Sequence, residues 1–174
     1  MTHSHKKFVR TSILYCTVEE LYAWHSNPDA LKLLTPPWMQ CTITADQEGI
    51  HEGNQVLLRI RKGLVRFNWL ARQTNVLPPG GFEDIQVTGP FAHWHHTHRF
   101  TRLGPSHCRL EDIIEYDLPL RAVLNGFACV LVEPELRRLF AFRHRVTKSE
   151  LEKARAQASE PVAPGSHQTF TTSS

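Results

Sequence analysis

The sequence predicts an α+β protein in which a curved antiparallel sheet of about seven strands wraps on a long C-terminal helix. Three observations support this fold class. Short β-prone stretches separated by turn residues fill the middle of the chain, a helical apolar stripe follows them, and a strand that feeds a short helix precedes them. The helix must bury its stripe, and one face of an antiparallel sheet offers the surface for it.

The predicted first elements are a strand and two short helices. Residues 8–14 are β-prone, and Thr17 follows in a position to cap a helix, with Glu20 completing a capping box. That helix ends at an Asn-Pro pair, and a second turn or helix covers residues 29–34. Two consecutive prolines end this second element, because proline has no backbone N–H to donate.

Six further strands are predicted in the middle of the chain. Each stretch is bounded by glycine, proline or polar turn residues, which is typical of strands joined by tight turns. The order therefore favours an antiparallel meander, and the irregular strand spacing argues against a propeller. The predicted strands are residues 39–46, 54–62, 64–77, 82–88, 91–103 and 108–118.

A long helix and a polar tail complete the chain. Pro134 interrupts the helical pattern because its ring collides with the preceding turn, so we expect a short leading helix and a main helix from about residue 133 to residue 156. The domain is expected to span residues 1–156, and residues 157–174 form a disordered tail without apolar periodicity. The apolar stripe comprises Val123, Phe127, Val130, Leu131, Leu136, Leu139 and Phe140.

Composition narrows the range of partners. The 174 residues suffice for one domain, and the formal net charge is only +3. Basic residues of the C-terminal helix alternate with glutamates, which indicates a solvated, ion-paired face, so we expect no nucleic-acid partner.

No apolar run approaches the ~18 residues of a membrane span, and no apolar segment follows the N-terminal lysines. We therefore expect no membrane span and a cytoplasmic location, and the oligomeric state stays open.

The four cysteines are widely scattered in the sequence, and no two of them form a CxxC motif. This spacing fits neither a zinc ribbon nor a redox pair, and a chain of this length does not need a disulfide framework. We expect reduced and mostly buried thiols.

The stretch GPFAHWHHTHRF places four histidines and a tryptophan on one predicted strand. Side chains alternate between the two faces of a strand, so one face carries the two aromatic residues with two of the histidines between them. The opposite face is polar and can remain solvated, which makes the aromatic face the inward one. The inward residues are Trp94, His96, His98 and Phe100.

The next predicted strand has an apolar face that contains one carboxylate, Asp112. A hairpin turn at Gly-Pro-Ser, residues 104–106, pairs His98 with Asp112 across the two strands. An imidazole that donates to this carboxylate offsets the cost of burying it, and His96 is then the freer histidine. The same register predicts three more pairs: Phe100 with Leu110, His96 with Ile114, and Trp94 with Tyr116.

Several motifs resemble a known superfamily. The segments LTPPW, GPFxxWxHxHxF, IEYxLP and FAFRHR are similar to the START/Bet v 1-like SRPBCC superfamily, and within it to bacterial polyketide-cyclase-like proteins. The resemblance covers roughly residues 6–147. It implies a helix-grip fold, and its members include lipid carriers, hormone receptors and aromatase/cyclases. Fold by itself does not assign function.

Three interpretations of the histidine group remain open. It is a satisfied polar network in an apolar core, a pocket wall that orients a polar group of a lipophilic ligand, or a metal or catalytic site. Two histidines two residues apart with a neighbouring carboxylate suit zinc or iron. However, the pattern places no third histidine and shows no second ligand shell. We therefore expect no metal and no cofactor.

The preferred function is binding of a small or medium lipophilic molecule in a cavity between sheet and helix, as a non-catalytic carrier or sensor. One alternative is a polyketide cyclase/dehydratase-like enzyme, with His96, His98, Asp112 and Tyr116 as candidate catalytic residues. The other is a protein-interaction module with a filled cavity. The candidate ligand-binding residues are Trp38, Phe67, Trp69, Trp94, His96, His98, Asp112, Tyr116, Leu136, Phe140 and Arg143.

Overall fold

The computed structural model describes residues 5–44, 49–119, 130 and 132–159. All six strands predicted in the middle of the chain are present, together with the first strand and both short helices. In chain order the elements are β1 (Lys6–Leu14), α1 (Val18–His25), α2 (Ala30–Leu33), β2 (Gln40–Thr44), β3 (Gln55–Lys62), β4 (Val65–Leu77), β5 (Gly81–Thr88), β6 (His93–Gly104), β7 (His107–Asp117) and α3 (Glu133–Ser159).

The strands form one antiparallel sheet of seven, in the order β1-β7-β6-β5-β4-β3-β2. Strands β2 to β7 follow one another as the predicted meander, and β1 pairs with β7 at the far edge. The pairing of β4 with β5 shifts register twice, between Leu70 and Ala71 and between Thr74 and Leu77. Such irregularities bend a strand, which helps the sheet to curve around α3.

The capping box at the beginning of α1 is confirmed. The Glu20 amide donates to Thr17 Oγ1 at 3.1 Å, and the Thr17 amide donates to the Glu20 carboxylate at 2.7 Å. The second helix, α2, is a single turn of four residues. Helix α1 packs against β6 and β7, and α2 packs against α1.

The long helix α3 begins at Glu133 as predicted. Pro134 lies in its first turn, where the missing amide hydrogen has no intrahelical partner to lose. The helix runs to Ser159, three residues past the predicted boundary, and residues 160–174 lie outside the described part of the chain. The predicted leading helix also falls outside it, with Val123, Phe127 and Leu131.

The inward stripe of α3 differs in part from the prediction. Val130 is 69% exposed, so its assignment to the buried stripe was wrong. Leu136 and Phe140 are buried as expected, and the stripe then continues to the C-terminal side. Its further buried members are His144, Thr147 and Leu151. Two of these are polar, which is why the apolar pattern of the sequence ends too early.

Buried side chains form two apolar clusters along β7. Cys108 and Leu110 belong to the first cluster, with Leu14, Phe82 and Leu151. Ile114 and Tyr116 belong to the second, with Phe8, Leu136 and Phe140. Asp112 lies between them on the same inward face of β7 and is buried. A polar group therefore occupies the middle of the sheet with apolar packing on both sides.

The predicted register of β6 and β7 is confirmed. His98 lies opposite Asp112, and the other three predicted pairs are also present. The alternation of the two strands and the position of the turn suffice to determine this register, because both are local properties of the hairpin.

Candidate functional site

A cavity of about 380 Å³ lies between the concave face of the sheet and the helices. Nine of the predicted ligand-binding residues line it: Trp38, Phe67, Trp69, Trp94, His96, His98, Leu136, Phe140 and Arg143. Most of the remaining wall is aliphatic or aromatic, including Leu34, Val56, Leu58, Ile60, Ala71, Phe82, Phe91 and Leu139. The predicted cavity is thus present, and the side chains of the described residues do not fill it.

Two predicted ligand-binding residues lie behind this wall. Tyr116 is fully buried, and its ring packs 5.9 Å from the ring of Phe91 and 6.5 Å from that of Trp94. Asp112 lies beneath the histidine rings and does not line the cavity. Strand alternation correctly turned both side chains inward, but it could not show that other residues separate them from the cavity.

Aromatic rings form one wall of the cavity. The rings of Trp69 and Trp94 meet edge to face at 4.8 Å, and Phe91 packs against both. Trp38 is 37% exposed and packs its ring 5.2 Å from the ring of Phe142. This wall offers a large, rigid apolar surface.

Asp112 is the centre of the polar group. Its Oδ1 lies 2.8 Å from His96 Nε2 and 2.9 Å from His98 Nδ1, and its Oδ2 accepts from His144 Nε2 at 2.7 Å. The contact with His98 Nδ1 lacks the alignment of a hydrogen bond. His96 also bonds Asp112, which the prediction did not include, but it remains the freer histidine because His98 has Asp112 beside Nδ1 and Asp84 beside Nε2.

His144 was missed at the sequence level. It lies on α3 eight residues after Leu136 and four after Phe140, so helical spacing alone places it on the inward stripe. Its Nδ1 lies 2.8 Å from Ser12 Oγ of β1. One buried imidazole therefore links α3 to two strands.

Asp84 of β5 was also missed. Its Oδ2 lies 3.1 Å from His98 Nε2, while the ring of His98 stacks on Phe82 at 4.2 Å. Phe82 pairs with His98 and Asp84 with His96 across β5 and β6. The same alternation that was applied to β6 turns Phe82 and Asp84 towards the cavity, so this signal was present in the sequence.

A further histidine, His25, lies at the C-terminal end of α1 and lines the cavity. Its Nδ1 lies 2.9 Å from the Leu21 carbonyl oxygen, which accepts the ring hydrogen. Its ring centroid is 6.0 Å from that of His98 and 4.8 Å from that of Phe100. No sequence pattern points to His25, since its place depends on how α1 packs on the sheet.

Burial and charge move the pKa values of these groups in opposite directions. Burial alone lowers the pKa of His98, but the charges and hydrogen bonds of Asp112 and Asp84 outweigh it and raise that pKa to about 9. Burial and the nearby His98 charge lower the pKa of His96 to about 4, and they lower that of His25 to about 4. Burial alone raises the pKa of Asp112, but His98 and the other donors hold it well below its usual range.

Arg143 contributes a cation to the cavity wall. Its Nε donates to the Leu34 carbonyl oxygen at 3.3 Å, and its guanidinium lies 5.4 Å from the centre of the Phe140 ring. Burial lowers its pKa, and the charges of Asp112 and Asp84 oppose that shift. The head group therefore belongs to the polar end of the cavity.

Three side chains of this polar end have the composition of a metal site. One ligand atom each of Asp84, His96 and His98 lie within 4.8 Å of one another. Two imidazoles and a carboxylate are suitable ligands for divalent transition metals.

None of the helices among the described residues has the length and apolar character needed to cross a membrane.

Residues 16–141 match the family described as polyketide cyclase / dehydrase and lipid transport. Among proteins with curated descriptions, none matches this chain by sequence.

Many solved structures have a similar fold, including the three that follow. A norcoclaurine synthase point mutant from Thalictrum flavum, in complex with a transition-state analogue, is 12% identical with a TM-score of 0.67 and covers 89% of this chain and 99% of its own. The Zhui aromatase/cyclase from Streptomyces sp. R1128 is 14% identical with a TM-score of 0.65, at 88% and 98% coverage. A START superfamily protein from Mycobacterium smegmatis is 13% identical with a TM-score of 0.60, at 85% and 98% coverage. These likenesses establish the helix-grip fold and no specific activity.

Proposed function

The chain belongs to the polyketide cyclase / dehydrase and lipid transport family, and on that basis we propose that it binds a small or medium lipophilic molecule as a non-catalytic carrier or sensor. The observation that carries the proposal is the cavity of about 380 Å³ with a largely apolar wall. Ligand sites typically enclose roughly 300–1,000 Å³ and combine apolar walls with a few polar groups.

The distribution of polar groups indicates the kind of ligand. The ring pair Trp69 and Trp94 provides an apolar wall, whereas His98, Asp84 and Arg143 are polar or charged residues that line the same cavity. A molecule with an aromatic or aliphatic body and one oxygen-bearing end matches both parts, because its polar end meets donors and its body displaces water from apolar surface.

The proposal includes no nucleic-acid partner. Basic side chains of α3 pair with glutamates of the same helix, as in Arg137 with Glu133 at 3.5 Å and Lys153 with Glu150 at 2.7 Å. Such pairs neutralise the face that would otherwise attract a phosphate backbone.

Native mass spectrometry of the untagged protein tests the proposal directly. An organic adduct that survives purification would support it and give the mass of the ligand. A titration with 1-anilinonaphthalene-8-sulfonate, which joins an aromatic body to an anionic end, extends the test to protein without an adduct. We expect saturable binding to the folded protein at one site per chain, and an absence of both adduct and saturable binding would contradict the proposal.

A second candidate function is acid–base catalysis of the cyclase/dehydratase type. It is favoured by the observation that His96, His98 and Asp84 belong to the wall of the same cavity as the aromatic surface. Groups that transfer protons must lie within hydrogen-bond reach of the substrate. The test is conversion of a linear poly-β-ketone by wild type and by His98→Gln. Turnover that disappears in the variant while dye binding remains would establish the enzyme, and absence of turnover in wild type would favour the carrier.

A further inference from the structure

We propose that Asp84, His96 and His98 hold a divalent transition metal ion of the zinc or iron(II) class at the polar end of the cavity. This goes beyond ligand binding by the cavity and does not depend on it. Within the described residues, this is the group of three histidine, cysteine or carboxylate side chains whose ligand atoms are placed to hold a metal ion.

The distances suit an ion. Ligand atoms that lie ~2.1 Å from zinc are roughly 3.0–3.4 Å apart in tetrahedral or octahedral arrangements. His98 Nε2 and Asp84 Oδ2 are hydrogen-bond partners 3.1 Å apart, and this separation is also the one that two ligand atoms of a single ion need. No pair in the group exceeds 4.8 Å, so an ion would draw the three ligand atoms closer together.

Asp112 supplies what metal-binding histidines need on their second nitrogen. It accepts a hydrogen bond from His96 Nε2 at 2.8 Å and lies 2.9 Å from His98 Nδ1, in a contact without the alignment of a hydrogen bond. His96 Nδ1 is then left for the ion, and His98 Nε2 becomes a ligand when the ion displaces the hydrogen that this nitrogen donates to Asp84 Oδ2. A carboxylate that orients two ligand imidazoles in this way is the usual partner of such histidines.

His144 holds Asp112 from the opposite side. Its Nε2 donates to Asp112 Oδ2 at 2.7 Å, which leaves Oδ1 to the two candidate ligands. The carboxylate is therefore restrained by α3 before any ion binds. This restraint makes Asp112 a positioning residue of the site, while the three ligands face the cavity.

The position of the group also suits an ion. Asp84 and Asp112 are two carboxylates close to the guanidinium of Arg143, and an ion would take the place of the hydrogen that His98 Nε2 shares with Asp84. Three protein ligands leave further coordination positions open, as in catalytic rather than structural metal sites. Those positions adjoin the cavity that the polar end of a ligand would enter.

The test is a metal titration of untagged protein that has been dialysed against a chelator. Zinc binding is measured by calorimetry, and cobalt(II) gives visible absorption bands that report nitrogen and oxygen coordination. We expect one ion per chain in wild type and a loss of at least tenfold in affinity for Asp84→Asn and His98→Gln. Asp112→Asn is expected to weaken binding by about 10–100-fold through misorientation of the histidines.

A matched control lies on the outer face of the same two strands. His95 Nε2 and Glu83 Oε2 are 2.9 Å apart, so they form a second imidazole–carboxylate pair that lies outside the cavity. His95→Gln and Glu83→Gln are expected to leave the affinity unchanged. Circular dichroism establishes whether each variant is folded. If Asp112→Asn does not fold, the zinc affinity of the conservative variant Asp84→Asn tests the proposal.

Two results would overturn the proposal. One is that wild type binds neither zinc nor cobalt(II). The other is that an ion remains bound with full affinity in Asp84→Asn and His98→Gln, which would place it elsewhere, as at the stacked pair of His5 and His93. Dye binding by metal-free wild type separates this outcome from a failure of the lipophilic-ligand proposal.

Discussion

Asp112 Oδ2 accepts a hydrogen bond from His144 Nε2 at 2.7 Å, and this contact joins the middle of β7 to the middle of α3. The two residues are 32 positions apart in sequence, and both side chains are buried. A carboxylate in this position requires donors from more than one element, because burial without them would be costly. The contact therefore couples the stability of the fold to the polar end of the cavity.

Replacement of His144 by leucine is expected to destabilise the protein by about 3 kcal/mol or more. The change removes a donor from a buried carboxylate, and breaking a buried charged contact costs about 3–5 kcal/mol. Urea unfolding of wild type and variant measures the effect. Lys148→Ala, one turn further along α3 on its exposed side, is the control and should stay within about 0.5 kcal/mol of wild type. Equal stability of the two variants would contradict a role for the contact.

Replacement of Gly81 by alanine is expected to damage both stability and ligand binding. Gly81 has a φ of +132°, and a Cβ atom there would lie 1.9 Å from the carbonyl oxygen of His98. The strand that carries His98 would have to move, at a cost of about 3 kcal/mol or more.

Gly104→Ala is the matched control for this prediction. A Cβ atom at Gly104 meets no heavy atom within 4 Å. Urea midpoints and dye titrations of the two variants should therefore diverge, with Gly104→Ala close to wild type. If Gly81→Ala retains wild-type stability and dye affinity, β5 and β6 do not approach each other closely at Gly81.

Filling the cavity is expected to abolish ligand binding without loss of the fold. Ala71 lines the cavity from β4, and Ala71→Phe would place a ring in it. We expect at least a tenfold loss of dye affinity, with a melting temperature equal to or above that of wild type, since apolar surface is covered.

Val87→Phe is the control for added aromatic surface. Val87 is 47% exposed on β5 and does not line the cavity. Its replacement should leave dye affinity unchanged. Equal losses in both variants would show that the dye binds the protein surface instead of the cavity.

Cysteine labelling tests the packing of the first apolar cluster. Cys16 and Cys108 are buried with their sulfur atoms 3.4 Å apart, and this contact together with burial raises the pKa of the Cys16 thiol. Cys41 of β2 is half-buried. Iodoacetamide should therefore label Cys41 before Cys16 and Cys108, as judged by peptide mass spectrometry.

The reference for this experiment is the protein in urea, where the three thiols should react at similar rates. Early labelling of Cys16 or Cys108 in the native protein would mean that the cluster opens far more readily than its burial implies.

Much of the candidate site follows from one hairpin. The alternation of β6 and β7 and the turn between them suffice to place His96, His98 and Asp112 on the inward face in the observed register. The same rule was not extended to β5, so Asp84 was missed although its strand alternates in the same way. His144 was missed for a different reason, because a polar residue on a helical stripe looks like the end of the stripe.

The sequence by itself determined the order of the elements, the antiparallel meander, the capping of α1, and the register and inward face of the histidine strand. These are local properties, set by side-chain alternation, turn residues and capping groups within a few positions of each other. The tertiary structure decided that His144 and Asp84 meet the same hairpin, that His25 joins the cavity, and that Tyr116 does not line it. Those outcomes depend on how α1, α3 and β5 pack against the hairpin. Spacing in the sequence shows that His144 and Asp84 face inward, but it does not show which residues they meet there.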